Sequence, residues 1–143
     1  MEVVVAKIKK TKRSEIWICV KDYRNKRYVD LREHFLIDDD NEMHPTKKGL
    51  MVPLESLPDL IDGMGKLDGV TEIGTVATVS KSDHEEIQIG LREYQKTQFG
   101  DIRIWYWKEN SQDRKPTPKG ITFKPEIALA IIDALRQAED SIT

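Results

Sequence analysis

The chain has 143 residues, 34% of them charged and 38% apolar, with a formal net charge of −2. That balance belongs to a folded globular chain and excludes a disordered one, and no apolar run approaches the roughly 20 residues of a membrane-spanning helix. One cysteine, Cys19, excludes an intrachain disulfide framework and a cysteine-rich metal site.

The organising feature is an internal repeat. Shifted by 71 positions, Val3–Met64 aligns without a gap on Gly74–Leu135, with 16 of 62 positions identical. Glu15-Ile16 recurs as Glu86-Ile87, Tyr23 as Tyr94, Asp30 as Asp101 and Arg32 as Arg103. Pro45-Thr46 and Lys48-Gly49 return as Pro116-Thr117 and Lys119-Gly120. The expected organisation is a first repeat over residues 1–65, a linker over 66–72 and a second repeat over 73–143.

Taken in chain order, the β-branched runs Val3–Ile8 and Ile73–Val79 predict first strands. Ile16–Tyr23 and Ile87–Tyr94 alternate, so Ile16, Ile18 and Val20 share one face and Trp17, Lys21 and Tyr23 the other. Arg92 and Tyr94 take the matching places in the second copy. After a short polar turn come third strands over Arg27–Leu36 and Gln98–Lys108. A loop ending in Pro-Thr-x-Lys-Gly then leads into brief fourth strands, Leu50–Val52 and Ile121–Phe123. Pro125 suits a first helical turn, followed by the stripe Ala128, Ile131, Ile132 and Leu135. In the first copy Pro58 fits only near the helix start, Ser56 is the candidate N-cap, and Gly63 is expected to end the helix early. The unit is β-β-β-β-α, twice: an α+β chain.

Cations interleaved with rings mark the face opposite the aliphatic one. Single strands of nucleic acid are held by a basic groove along the phosphates and by exposed aromatic faces on which bases stack. Lys21 with Tyr23, and Arg92 with Tyr94, supply a cation and a ring two residues apart, and Arg24, Lys26, Arg27 and Lys96 add charge at the turns. Solvent-facing hairpins also carry such residues. In Trp105-Tyr106-Trp107 alternation sends the tryptophans to the face of Arg103 and Tyr94, and Tyr106 to that of Ile102 and Ile104. Rings of this kind also pack cores and subunit interfaces. Charge is segregated, with ten Lys and Arg against four Asp and Glu up to Arg32, and acids gathered in Asp38–Glu42 and Glu85-Glu86.

Catalytic patterns are missing. His34, His44 and His84 have no ligand spacing with Cys19. Asp38–Glu42 lacks the glycine and distant glutamate of a calcium loop and reads as a solvated turn. Pro45–Gly49 is no phosphate loop, and the spacing of Gly63, Gly65 and Gly69 is no dinucleotide fingerprint. No enzyme, metal or cofactor is expected. Without a signal-peptide pattern the protein is expected inside the cell, in cytoplasm, nucleoid or nucleus.

Tyr23–Leu54, with Tyr-Val-Asp-Leu-Arg, an acidic turn and Pro-Thr-Lys-Lys-Gly-Leu, resembles the domain of the transcriptional coactivator positive cofactor four family. Phe99-Gly-Asp-Ile-Arg and Pro116-Thr-Pro-Lys-Gly-Ile repeat that signature. The resemblance implies a curved, four-stranded antiparallel sheet with a C-terminal helix, units paired through their helices, and binding of single-stranded DNA with little sequence preference. It implies stacking rings at Tyr23 and Tyr94, further aromatics at Phe35 and Tyr106, and basic contacts at Arg32, Arg103, Lys48, Lys119 and Lys47. Alternation puts Phe35 and Tyr106 on the aliphatic face, so the resemblance calls for a bulge to turn them outward. The chain departs from the family in fusing two units, in lacking a serine-rich acidic N-terminal region, and in having Thr97-Gln98 where the first copy has Lys26-Arg27.

The expected function is binding of single-stranded DNA in transcription, replication, recombination or repair, by an intramolecular pseudo-dimer that further copies can extend. An RNA-binding module and a protein-interaction adaptor on the same fold are the alternatives; the near-neutral charge and the acidic patches favour the adaptor.

Overall fold

The computed structural model describes residues 2–142, which form two antiparallel four-stranded sheets in sequential strand order, each followed by a helix. The first sheet consists of β1 (Glu2–Thr11), β2 (Ser14–Tyr23), β3 (Lys26–Ile37) and β4 (Glu42–Pro53), and α1 (Leu57–Gly65) follows. The second has β5 (Gly74–Ser82), β6 (Glu85–Tyr94), β7 (Thr97–Tyr106) and β8 (Lys115–Phe123), followed by α2 (Ala128–Ile142). The hairpins β2–β3 and β6–β7 turn on two residues of positive φ, Arg24-Asn25 and Gln95-Lys96, as tight hairpins with right-handed strand twist require.

Two expectations are corrected. Pro-Thr-x-Lys-Gly is not a loop before a brief strand but a bulge inside a long one. Opposite β3, register jumps from Arg32↔Gly49 to His34↔Pro45, so Thr46–Lys48 oppose Glu33 alone; β7 and β8 repeat this between Arg103↔Gly120 and Trp105↔Pro116. Nor does Gly63 end α1, which runs on to Gly65. A Cβ on Gly63 would lie 2.7 Å from Ile89 Cδ1 and 3.0 Å from Ala77 Cβ, so glycine here lets the helix approach the second sheet closely. Pro125 opens a 3₁₀ turn, Pro125–Ile127, that leads into α2, and Ser56 makes no side-chain cap bond.

That close approach reflects how the repeats share one core. α1 packs on α2 and on β5, and α2 packs on β1 and β2, so each helix lies on the sheet of the other repeat. Ile16, Ile18 and Leu31 join Ile87, Ile89 and Ile102, with Leu57, Leu60 and Met64 of α1 and Ile131 and Leu135 of α2, in a single buried cluster. Each such side chain contributes about 1.5–3 kcal/mol when fully buried. A lone repeat would leave its own helix stripe in water. The two sheets also meet along β4 and β8. No helix among the described residues is long and apolar enough to cross a membrane.

Candidate nucleic-acid interface

The face away from the core is built on a buried carboxylate. Asp30, on β3, is 1% exposed. Arg32 grips it with two bonds, Nη2 to Oδ1 at 3.0 Å and Nε to Oδ2 at 3.1 Å, while Lys21 Nζ lies 3.2 Å from Oδ2. Arg32 Nη1 also donates to the Thr46 carbonyl at 2.9 Å, and Thr46 Oγ1 donates to the Glu33 carbonyl at 2.8 Å. The second copy repeats the brace: Arg103 holds Asp101 and donates to the Thr117 carbonyl at 2.9 Å, and Thr117 Oγ1 donates to the Ile104 carbonyl. Glycine is required beside it, since a Cβ would fall 2.7 Å from the Leu31 carbonyl oxygen at Gly49 and 2.6 Å from the Ile102 carbonyl oxygen at Gly120. Asp-x-Arg and Pro-Thr-x-Lys-Gly recur together because one pins the bulge formed by the other. The bulge turns Lys47, Lys48 and Lys119 into solvent.

Where the sheets meet, an open groove of about 570 Å³ runs between the repeats. The first repeat lines it with Tyr23, Tyr28, Arg32, Lys47 and Met51, and the second with Lys81, Ile104, Pro118 and Lys119. Four of these residues are cations, and none of the described residues lining it is acidic. Tyr23 is 52% exposed, with the Tyr28 ring edge-on at 6.5 Å and the Arg24 guanidinium 5.1 Å from its ring. A flat phenol beside several ammonium groups is the combination that accepts an unpaired base and its backbone.

Of the residues singled out in the sequence, Tyr23, Arg32, Lys47 and Lys119 meet in this groove. Lys26 is exposed at the hairpin tip, and Arg27 pairs with Asp22 at 3.0 Å. Phe35 and Lys48 line a neighbouring hollow with Glu33 and His44. Phe35 is 44% exposed, yet β3 runs in unbroken register with β2 from Ser14↔Phe35 to Tyr23↔Lys26. No bulge in β3 turns it outward; the ring keeps the parity of Leu31 at the end of the strand, where that face is open, and the bulge belongs to β4. Tyr106, its counterpart, is half-buried.

Lys21 and Arg92 are engaged on the sheets, Lys21 with Asp30 and Arg92 with Thr75 Oγ1 at 2.8 Å and over the Trp105 ring at 5.6 Å. Tyr94 is 68% exposed on the second sheet, outside the groove. Trp107 falls beyond β7, its ring under the Arg114 guanidinium at 3.8 Å. Tyr28 was within reach of strand parity, since it shares the face of Arg32. Lys81 was not, because nothing in the chain before folding says which strand of one repeat borders the other.

The remaining polar groups explain themselves locally. Burial, with Glu2 and Asp30 adding to it, pushes the Cys19 thiol up to about 11, far from a reactive thiolate. Asp40 accepts the Glu42 N–H at 2.9 Å and lies 2.7 Å from His44 Nε2; the amide first and the imidazole second hold its carboxyl below the usual range. The acidic run is a turn closed by its own side chains, and His44 is part of it.

His34 is 7% exposed and stacks on Trp17 with ring centroids 3.9 Å apart. Burial lowers its pKa below 6.5, outweighing the opposing pull of Asp30. The folded chain therefore takes up this proton at lower pH than the unfolded chain does, so the contribution to stability is whole above about pH 6.5 and falls as pH drops through it. In His34→Phe, which keeps the stacked ring, the fall in Tm between pH 7 and pH 5.5 should shrink. An unchanged fall would show that other groups carry the acid sensitivity.

The family model of the transcriptional coactivator p15 (PC4) matches the chain twice, over residues 8–63 and 81–134. A solved PC4 homolog from Burkholderia pseudomallei is 30% identical to it over 50% of this chain and 95% of the homolog, with a TM-score of 0.43. No curated protein matches it significantly. The two matched segments, one in each repeat, together take in most of the sequence, and on that ground the chain belongs to the transcriptional coactivator p15 (PC4) family.

Proposed function

We propose that the chain binds single-stranded DNA with little sequence preference, as a single-chain pseudo-dimer, and acts by binding and not by catalysis. Membership of a transcriptional coactivator family supports nucleic-acid binding in transcription regulation. The observation that carries the finer reading is the groove between the sheets, where Tyr23 stands among Arg32, Lys47, Lys81 and Lys119 with no described acid in the lining. A base stacks on Tyr23 while Lys47, Lys81 and Lys119 meet phosphates; Arg32, held by Asp30 and Thr46, positions the bulge. Tyr94, Arg92, Arg103, Trp105, Tyr106 and Lys48 offer the second copy's version of the face, with Phe35, Lys26, Arg27 and Lys21 at the margins of the first. The negative net charge is no obstacle, because a single basic stripe is enough for local attraction. The shared core supports the pseudo-dimer, since each repeat's helix is already covered within the chain.

Titration with fluorescent oligo-dT, oligo-U and duplex DNA of equal length, at two salt concentrations, tests this. Oligo-dT should bind more tightly than duplex, with a log–log salt slope of about −2 from three ammonium groups at about −0.7 each. Tyr23→Ala should weaken binding by the worth of one stacked base, about 1–3 kcal/mol, with Tm unchanged. Equal binding by parent and Tyr23→Ala would sink the stacking role. Tighter binding of oligo-U would redirect the proposal to RNA, and no shift with any strand would leave the adaptor reading.

A further inference from the structure

The duplication gives every residue of the groove a counterpart 71 positions away, and the two sets differ where it matters. Tyr23 corresponds to Tyr94, Tyr28 to Phe99, Arg32 to Arg103, Lys81 to Lys10 and Lys119 to Lys48, so the rings and three cations are kept. Lys47 and Pro118, both in the groove, are each other's counterparts and change nothing, but Ile104 corresponds to Glu33 and Met51 to Thr122.

The consequence falls on two equivalent lysines, Lys81 and Lys10. Lys10 Nζ lies 3.1 Å from Glu33 Oε2 of its own repeat and reaches across to Thr122 Oγ1 of the second at 3.1 Å. Glu33 is only 8% exposed, so its charge and that of Lys10 face each other with little water between them. Lys81 has isoleucine and methionine at those two places, which offer neither a carboxylate nor a hydroxyl. Its nearest carboxylate is Glu85, at 3.4 Å. Each set thus has four cations, but only the counterpart set adds a carboxylate to the lining, Glu33, and that carboxylate ties up Lys10.

Resting on the nucleic-acid reading above, we infer that the chain holds one single strand and not two. The strand lies in the Tyr23 groove, and Glu33 is the residue that keeps the Tyr94 side closed to phosphate by tying up Lys10 and Thr122. An ancestral pair of equal grooves would load two strands symmetrically. This chain has become a one-sided binder, its second repeat serving as the wall that supplies Lys81 and Lys119 to the first.

The test is binding stoichiometry with an oligo-dT of about eight nucleotides, within the usual footprint of such sites, at low salt and with the full chain well above the dissociation constant. The parent should saturate at one oligonucleotide per chain. Glu33→Ile, which installs the residue of the other copy and frees Lys10, should saturate at two, and adding Tyr94→Ala to it should return the value to one. Glu33→Gln, which removes the charge but can still accept from Lys10, serves if the isoleucine variant fails to fold; it should bind a second strand at least tenfold more tightly than the parent does. Two equal sites in the parent would overturn the one-sided reading. A single site in both Glu33 variants would overturn the role of Glu33. No binding by the parent at all is a different result, and removes the nucleic-acid reading on which this one stands.

Discussion

Lys47→Glu combined with Lys119→Glu should lower affinity for oligo-dT about a hundredfold at low salt, roughly tenfold for each reversed phosphate contact, and flatten the log–log salt slope by about 1.4. Both side chains are exposed and line the groove from opposite repeats. Neither holds the fold, because the bulges that present them are pinned by Arg32 and Thr46 in one copy and Arg103 and Thr117 in the other. Circular dichroism and Tm should therefore match the parent. Arg32→Ala makes the contrast. It too should lose binding, but through structure: Asp30, 1% exposed, would keep only Lys21, and a buried carboxylate stripped of its main partner costs roughly 3 kcal/mol. A double lysine variant that binds oligo-dT like the parent would show that the strand does not lie between the sheets.

Much of this fold was legible because duplication writes each element twice. Period-two alternation in Ile16–Tyr23 and Ile87–Tyr94 gave the aliphatic face, and Tyr23 and Tyr94 are exposed on the other. What stayed hidden has a physical cause in each case. Pro-Thr-x-Lys-Gly has the composition of a loop, and only the cross-strand contacts of Arg32 and Thr46 keep it within β4. Gly63 carries the signature of a helix stop, yet here it answers to Ile89 on another sheet. Strand parity for Phe35 was right about the face; exposure differs because the core does not extend to the end of β3. The groove itself joins Tyr23 to Lys81, and that neighbourhood exists only once each helix has crossed to the other repeat.

The largest expected loss of stability lies where the two copies fill the same volume differently. Gly100 and Phe123 are cross-strand partners on β7 and β8, and their counterparts on β3 and β4 are Val29 and Val52. One benzyl group thus replaces two isopropyl groups of nearly the same carbon content. The Phe123 ring lies over the bare backbone of Gly100, where a Cβ would run into Cε2 and fall 2.6 Å from Cζ. The ring is 1% exposed. Gly100→Val should therefore cost about 3 kcal/mol or more by overpacking. Phe123→Val should cost a similar amount by opening a cavity. Made together, the two recreate the pair already packed in the first repeat, and the double variant should recover most of the loss. Urea denaturation of the four proteins should give a coupling of about 2 kcal/mol or more. Strand binding by the double variant should equal that of the parent, because neither position lines the groove. Losses that simply add would mean that the ring is not seated on Gly100, and that the second sheet packs its interior differently from the first.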